Sequence, residues 1–249
     1  MIDLHSHILP GVDDGAETPA AAVEMARAAV ADGIETLAAT PHVRADYPTT
    51  AARMEALVAR TRAAIEEAAV PLRLLPGAEI ALDRLPLLDD DELERLVLGG
   101  DGRALLLEFP YTGWPLGLDE VLFRLRARGF RPVLAHPERN AEVQARPERL
   151  EPLVQAGTLV QLTAASVDGR IGRSSHAAAF RLLELGLAHL VASDAHAPAV
   201  RQIGMSAAAA AIGDDGLASW LTYDVPRALL EDERLPARPE RRRRRWRRH

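Results

Sequence analysis

The 249-residue chain contains no cysteine. Disulfides, thiolate zinc ribbons and thiol nucleophiles are therefore excluded, and with them every phosphatase chemistry that runs through a cysteine. Lysine is missing too: all 30 basic residues are arginine. GC-rich codon usage is the simplest account of that bias, although the planar guanidinium fork also suits phosphate better than an ammonium does. No apolar run reaches the roughly 18 residues that a membrane span needs. No basic then apolar leader precedes Pro10, so a cytoplasmic protein is expected.

What is present is ordinary for a globular enzyme, at 48% hydrophobic and 27% charged residues. The length suits one large domain, within the range of single α/β barrels. The net charge of −6 is uneven. Glu240 to His249 holds seven arginines and one glutamate, which leaves −12 on the preceding 239 residues. An acidic body argues against a general nucleic-acid binder. The Arg/Pro-rich stretch 234–249 is expected to be a disordered tail after a catalytic domain spanning 1–233. It could contact an anionic membrane, with Trp246 at the interface.

Short apolar runs alternate with longer amphipathic ones. Strands are expected at Ile2 to Leu4, Thr36 to Ala39, Leu72 to Leu75, Ala104 to Phe109, Pro132 to Ala135, Thr158 to Leu162 and Leu190 to Ser193. Helices are expected at Thr18 to Asp32 and Thr50 to Ala69, and near Leu118 to Arg128, Pro147 to Gln155 and Ser175 to Leu185. Thr18 is a plausible N-cap, with Pro19 in the first turn and Gly33 closing that helix. Alternation of this kind argues for parallel βαβ units.

Polar residues gather where these strands end. His7, His42, Glu79, Glu108, His136 and Asp194 are separated by 35, 37, 29, 28 and 58 residues. Four of those gaps are one β/α unit long and the last is two, the skipped strand ending near Gln161 to Thr163. The fold class expected is therefore α/β, a seven-strand (β/α) barrel whose C-terminal strand ends converge on one site. His5 and His7 lie two apart on an extended strand and point to one side, as do Asp194 and His196. With His42, Glu79, Glu108 and His136 they make eight imidazole or carboxylate donors. That is more than one tetrahedral ion takes, and it suits two or three ions with shared carboxylates. A donor set without thiolate fits manganese, iron or zinc.

The stretches Met1 to Gly15, Ala39-Thr40-Pro41-His42, Pro76-Gly77-Ala78-Glu79, Leu107-Glu108-Phe109-Pro110, His136-Pro137-Glu138-Arg139 and Ser193-Asp194-Ala195-His196 resemble the bacterial protein-tyrosine phosphatases of the PHP (polymerase and histidinol phosphatase) superfamily. Gln161 to Gly172 resembles them as well, and the similarity runs in order to about Leu230. The resemblance implies a distorted TIM-like (β/α)7 barrel with three divalent ions, usually manganese, held by His5, His7, His42, Glu79, Glu108, His136, Asp194 and His196. It implies a metal-bridging hydroxide as nucleophile, Arg139 and Arg201 as phosphate clamps, and Asp14 as a proton shuttle or water ligand. It further implies a phosphotyrosine protein as substrate, a membrane-associated tyrosine kinase in the control of capsule or exopolysaccharide synthesis. One departure stands out: the family often has a second histidine after the His42 position, where Val43 and Arg44 follow here.

Other readings of the same residues remain. Arg139 could pair with Glu138 or Glu142, and Asp13 and Asp14 could be turn residues before Gly15. Tyr111 and Trp114 could form an aromatic rim or simply pack. Ser6 has no base beside it, and His176 and His189 fall outside the strand-end pattern. The same metal core would also serve a small-molecule phosphatase such as one acting on histidinol phosphate, a phosphodiesterase, or a metal-binding structural module.

Overall fold

The computed structural model describes residues 1–196 and 202–240. Among these are nine parallel strands: β1 (Ile2–Ser6), β2 (Thr36–Ala39), β3 (His42–Val43), β4 (Arg73–Leu75), β5 (Glu79–Ala81), β6 (Ala104–Glu108), β7 (Arg131–Ala135), β8 (Leu159–Thr163) and β9 (Leu190–Ala192). They form two sheets, β1-β2-β4 and β3-β5-β6-β7-β8-β9. Their sequences are nearly continuous apolar runs, as strands covered on both faces require.

The expected seven strands and the observed nine are reconciled at two prolines. Pro41 separates β2 from β3, and Pro76 separates β4 from β5. Proline has no N–H for a ladder, so each long strand breaks, bends and resumes pairing in the second sheet. β3 then pairs with β5, setting His42 directly opposite Glu79. The ring closes between β1 and β9 through a bridge of Ser6 with Ala195. There the His7 N–H donates to the Ala195 carbonyl at 2.8 Å and the Asp194 N–H to the His5 carbonyl at 2.9 Å. The result is a distorted seven-stave (β/α) barrel.

The outer helices start where capping chemistry dictates. Thr18 and Thr50 accept from the N–H groups of Ala21 and Arg53, opening Pro19–Ala31 and Ala51–Glu67. Such caps stabilise a helix by about 1 kcal/mol each. Gly186, at φ +74°, closes the helix Arg173–Leu185 in the left-handed region that glycine tolerates. The stretch expected as one helix near Pro147 to Gln155 begins as a 3₁₀ turn, Pro147–Leu150, and continues as α-helix over Glu151–Gln155.

Contacts with the barrel continue past residue 233. Trp220 Nε1 donates to the Pro236 carbonyl at 3.0 Å. Arg238 donates to the carbonyls of Ala188 and Leu183 at 3.0 and 2.7 Å. The expected tail therefore stays docked through Arg238. Residues 241–249, the remainder of the 234–249 stretch expected to be disordered, lie outside the described residues.

Candidate metal centre

All eight strand-end donors meet at one mouth of the barrel, and Asp14 joins them. Their ligand atoms fall into four overlapping groups, within each of which the atoms lie within 4.8 Å of one another. These are His7/Asp14/His42/His196, His5/Glu79/His136, His5/His7/Asp194 and His42/Glu79/Glu108. Glu79, fully buried, is at the hub. Its Oε1 accepts from His136 Nε2 at 2.7 Å, and its Oε2 lies 3.4 and 3.5 Å from the Nε2 atoms of His5 and His7.

Three imidazoles are aimed by what holds their other nitrogen. His5 Nδ1 donates to Gln161 Oε1 at 2.9 Å, His7 Nδ1 to Asp13 Oδ2 at 2.8 Å, and His196 Nδ1 to the Asp194 carbonyl at 2.9 Å. Each ring so held turns Nε2 into the cluster, the arrangement metal-binding histidines use. Asp13 and Gln161, which hold two of these rings, are the partners that sequence reasoning missed. Asp13 also accepts from the backbone N–H groups of His42 and Gly15 at 3.0 Å each. Gly15 must be glycine, because a Cβ there would lie 1.9 Å from the His7 carbonyl oxygen.

The cluster fits a cation. His5 Nε2 and His7 Nε2 face each other at 3.2 Å, a contact that requires a shared proton or a metal between two lone pairs. His42 Nδ1 and Glu79 Oε2 approach to 2.9 Å without hydrogen-bond alignment, and His136 Nδ1 is buried with no hydrogen-bond partner. Burial would lower the pKa of His5 and His7. Glu79 and Asp194 beside His5, and Asp13 and Asp194 hydrogen-bonded to His7, outweigh it and raise both, His7 far above the usual range. Burial opposes ionisation of Glu79, but His5, His136 and His42 hold its carboxyl well below the ordinary carboxylate range. Asp14 is likewise lowered, chiefly by its hydrogen bond to His196. His136 and Asp194 adopt left-handed backbone, at φ +39° and +51°. Non-glycine residues do so at a cost of order 1–3 kcal/mol, and such strain gathers at functional sites.

Arg139 Nη1 donates to Asp194 Oδ2 at 3.0 Å, and its guanidinium lies 4.5 Å over the Tyr111 ring. It pairs with neither Glu138 nor Glu142. Glu138 is fully buried and turns away, accepting from Thr163 N and Ser166 Oγ, while Glu142 pairs with Arg149. Tyr111 stands at the rim, stacked on His136 at 5.7 Å, whereas Trp114 packs edge-on against Phe109. Arg44, at the point of departure from the family pattern, donates to Glu108 Oε1 at 2.9 Å. Ser6 Oγ is committed to the Ala38 carbonyl at 2.7 Å. Arg201 lies outside the described residues.

A barrel mouth with a mixed imidazole and carboxylate centre suits metal-assisted hydrolysis. The family described as "Capsular polysaccharide synthesis, CpsB/CapC" matches residues 1–230. The chain is 42% identical over 201 residues to the tyrosine-protein phosphatase YwqE of Bacillus subtilis, covering 79% of this chain and 77% of that one. It is 30% identical over 208 residues to the tyrosine-protein phosphatase CpsB of Streptococcus pneumoniae, covering 79% and 83%. A solved structure from work on YwqE and CpsB, described as unique metal-dependent tyrosine phosphatases, superposes with a TM-score of 0.84 at 34% identity. It covers 97% of this chain and 100% of that one. The protein belongs to the CpsB/CapC family.

Proposed function

We propose that this protein is a metal-dependent protein-tyrosine phosphatase. The observation that carries the reading is the convergence of nine imidazole and carboxylate residues on one barrel mouth, with Arg139 at its edge. His5, His7, His42, Glu79, Glu108, His136, Asp194 and His196, with Asp14, would hold up to three divalent ions, manganese first and iron or zinc by the same donor chemistry. Bound there, the ions would supply an activated water and positive charge for the phosphoryl oxygens.

The chain's own groups do the rest. The Arg139 guanidinium, fixed by Asp194 and the Tyr111 face, keeps further N–H donors for phosphate oxygens and for the charge they gain in the transition state. Arg201 is proposed as its counterpart. Asp14 is held ionised beside His196, so it would orient the attacking water by accepting a hydrogen bond from it. The phenolate leaving group has a pKa near 10 and leaves with less acid help than an alkoxide needs. The Tyr111 ring offers a face for the substrate's phenyl group.

The proposed substrate is a tyrosine kinase that governs polysaccharide assembly, met in the cytoplasm at the membrane. Among the described residues no helix is long and apolar enough to cross a membrane. The arginine-rich end would add contact with anionic lipid.

The test is phosphate release by the manganese-loaded protein from a phosphotyrosine peptide, a phosphoserine peptide and histidinol phosphate, each with and without chelator. Chelator-sensitive preference for phosphotyrosine is expected. Preference for histidinol phosphate would move the protein into metabolism, and no release with metal bound would refute the reading.

A further inference from the structure

Phosphate chemistry leaves one feature beside the centre without a task. Between the segments that follow β5 and β6 opens a groove of about 490 Å³. It is lined by Ala81 and Leu82 at the end of β5, by Pro110, Tyr111, Trp114 and Pro115 after β6, and by Arg44 and Glu108. Glu108 also belongs to the His42/Glu79/Glu108 group, so the groove adjoins the metal centre.

The Trp114 wall is built and held in place. Asn140, fully buried, donates through Nδ2 to the Pro110 and Gly113 carbonyls at 2.7 and 2.8 Å. The Ala141 N–H donates to the Tyr111 carbonyl at 3.0 Å. Trp114 is clamped between Phe109 and the Arg149 guanidinium, which lies 4.0 Å over its ring. Asn140 directly follows Arg139, so the wall and the phosphate clamp are fixed by adjacent residues. A pre-formed apolar wall of this sort binds without the entropy cost of ordering it.

The charge of the groove is equally defined. Arg44 donates to Asp46 through two nitrogens and to Glu108 through a third. Its charge is therefore spent within the protein, and Asp83 adds a further carboxylate to the lining. The groove offers apolar surface and an acidic edge.

We infer that this groove is a peptide subsite that takes an apolar side chain flanking the phosphotyrosine and disfavours an acidic one. The inference rests on the phosphotyrosine reading and adds sequence selectivity to it. Apolar contact with Leu82, Pro110 and Trp114 supplies the attraction, and Asp83 the repulsion.

The test compares free phosphotyrosine with two peptides that differ only in carrying leucine or glutamate on both sides of the phosphotyrosine. Phosphate release gives kcat/KM for the wild type, Leu82→Glu and Asp83→Arg, each value divided by that variant's value for free phosphotyrosine. Burying part of one leucine side chain predicts a wild-type preference for the leucine peptide of about tenfold. Leu82→Glu should lower the leucine value, and Asp83→Arg should raise the glutamate value. Equal peptide values, or a preference that survives both variants, would overturn the subsite while leaving the phosphatase reading intact. No release from free phosphotyrosine or either peptide would overturn both.

Discussion

Asp13 Oδ2 accepts the Nδ1 proton of His7 at 2.8 Å, and the same oxygen accepts the backbone N–H of His42. One carboxylate outside the cluster thus orients two of its histidines. Asp13→Ala should leave every proposed ligand in place yet weaken metal binding by roughly 10- to 100-fold, the usual effect of removing a group that aims a ligand. Titration of the apo variant with manganese measures it. An unchanged affinity would mean that Asp13 serves only the turn.

Gly15 lies against the other side of His7. Because an added Cβ would meet the His7 carbonyl at 1.9 Å and its Cβ at 2.5 Å, Gly15→Ala must push the His7 backbone or its own loop aside. Overpacking of that kind costs about 1–3 kcal/mol. Thermal unfolding of the apo protein should show the loss, and metal content should fall with it.

These two residues also show where sequence reading stops. The barrel and its eight donors were legible because the donors end or follow apolar runs spaced by one β/α unit, or two at the last gap, with His5 and His196 two residues from His7 and Asp194. The breaks at Pro41 and Pro76 were not read from the sequence, although a proline cannot donate to a ladder. That the chain resumes pairing beyond them, setting His42 against Glu79, is decided by the neighbouring strands. Asp13 looked like a turn residue because its partner lies back across a loop. Gln161 looked inert because amides are weak ligands, yet it holds His5 from β8, two strands away around the barrel. The Arg44–Glu108 contact joins residues 64 apart, a relation no local pattern carries.

His189, which falls outside the strand-end pattern, has a measurable consequence for stability. Its Nδ1 accepts the Val160 N–H at 3.2 Å, so the ring is neutral in the fold. Burial, helped by the nearby Arg238 charge, lowers its pKa to about 4. The unfolded chain binds that proton near the ordinary 6.5, so the contribution of His189 is complete above pH 6.5. It is lost as pH falls toward 4, by about 3 kcal/mol over the window. Denaturant unfolding from pH 7.5 to 4 should therefore show a shallower acid decline for His189→Gln than for the wild type. Parallel declines would remove His189 from the account.

Arg139 should not be replaceable by lysine. Its planar fork meets Asp194 and the Tyr111 face together, and a single ammonium cannot do both while still reaching phosphate. Loss of one oriented donor to a transition-state oxyanion costs about 10²–10³ in kcat. Arg139→Lys should fall in that range with metal content preserved, which separates a clamp from a residue that merely supports Asp194.

Metal loading should release protons. With His5 Nε2 and His7 Nε2 only 3.2 Å apart and both histidines raised in pKa by the carboxylates around them, the apo protein should carry protons there at neutral pH. A divalent ion competes for those same nitrogens, so each loading event must displace them. Adding manganese to the apo protein in weak buffer at pH 7 should acidify the solution, and affinity should fall as pH is lowered. The loaded protein should also unfold at higher temperature, gaining about 4 kcal/mol when free metal exceeds its dissociation constant a thousandfold. His5→Gln should reduce the proton yield as well as the affinity. Binding without proton release would mean that the ions avoid the His5–His7 pair and that the centre is organised differently.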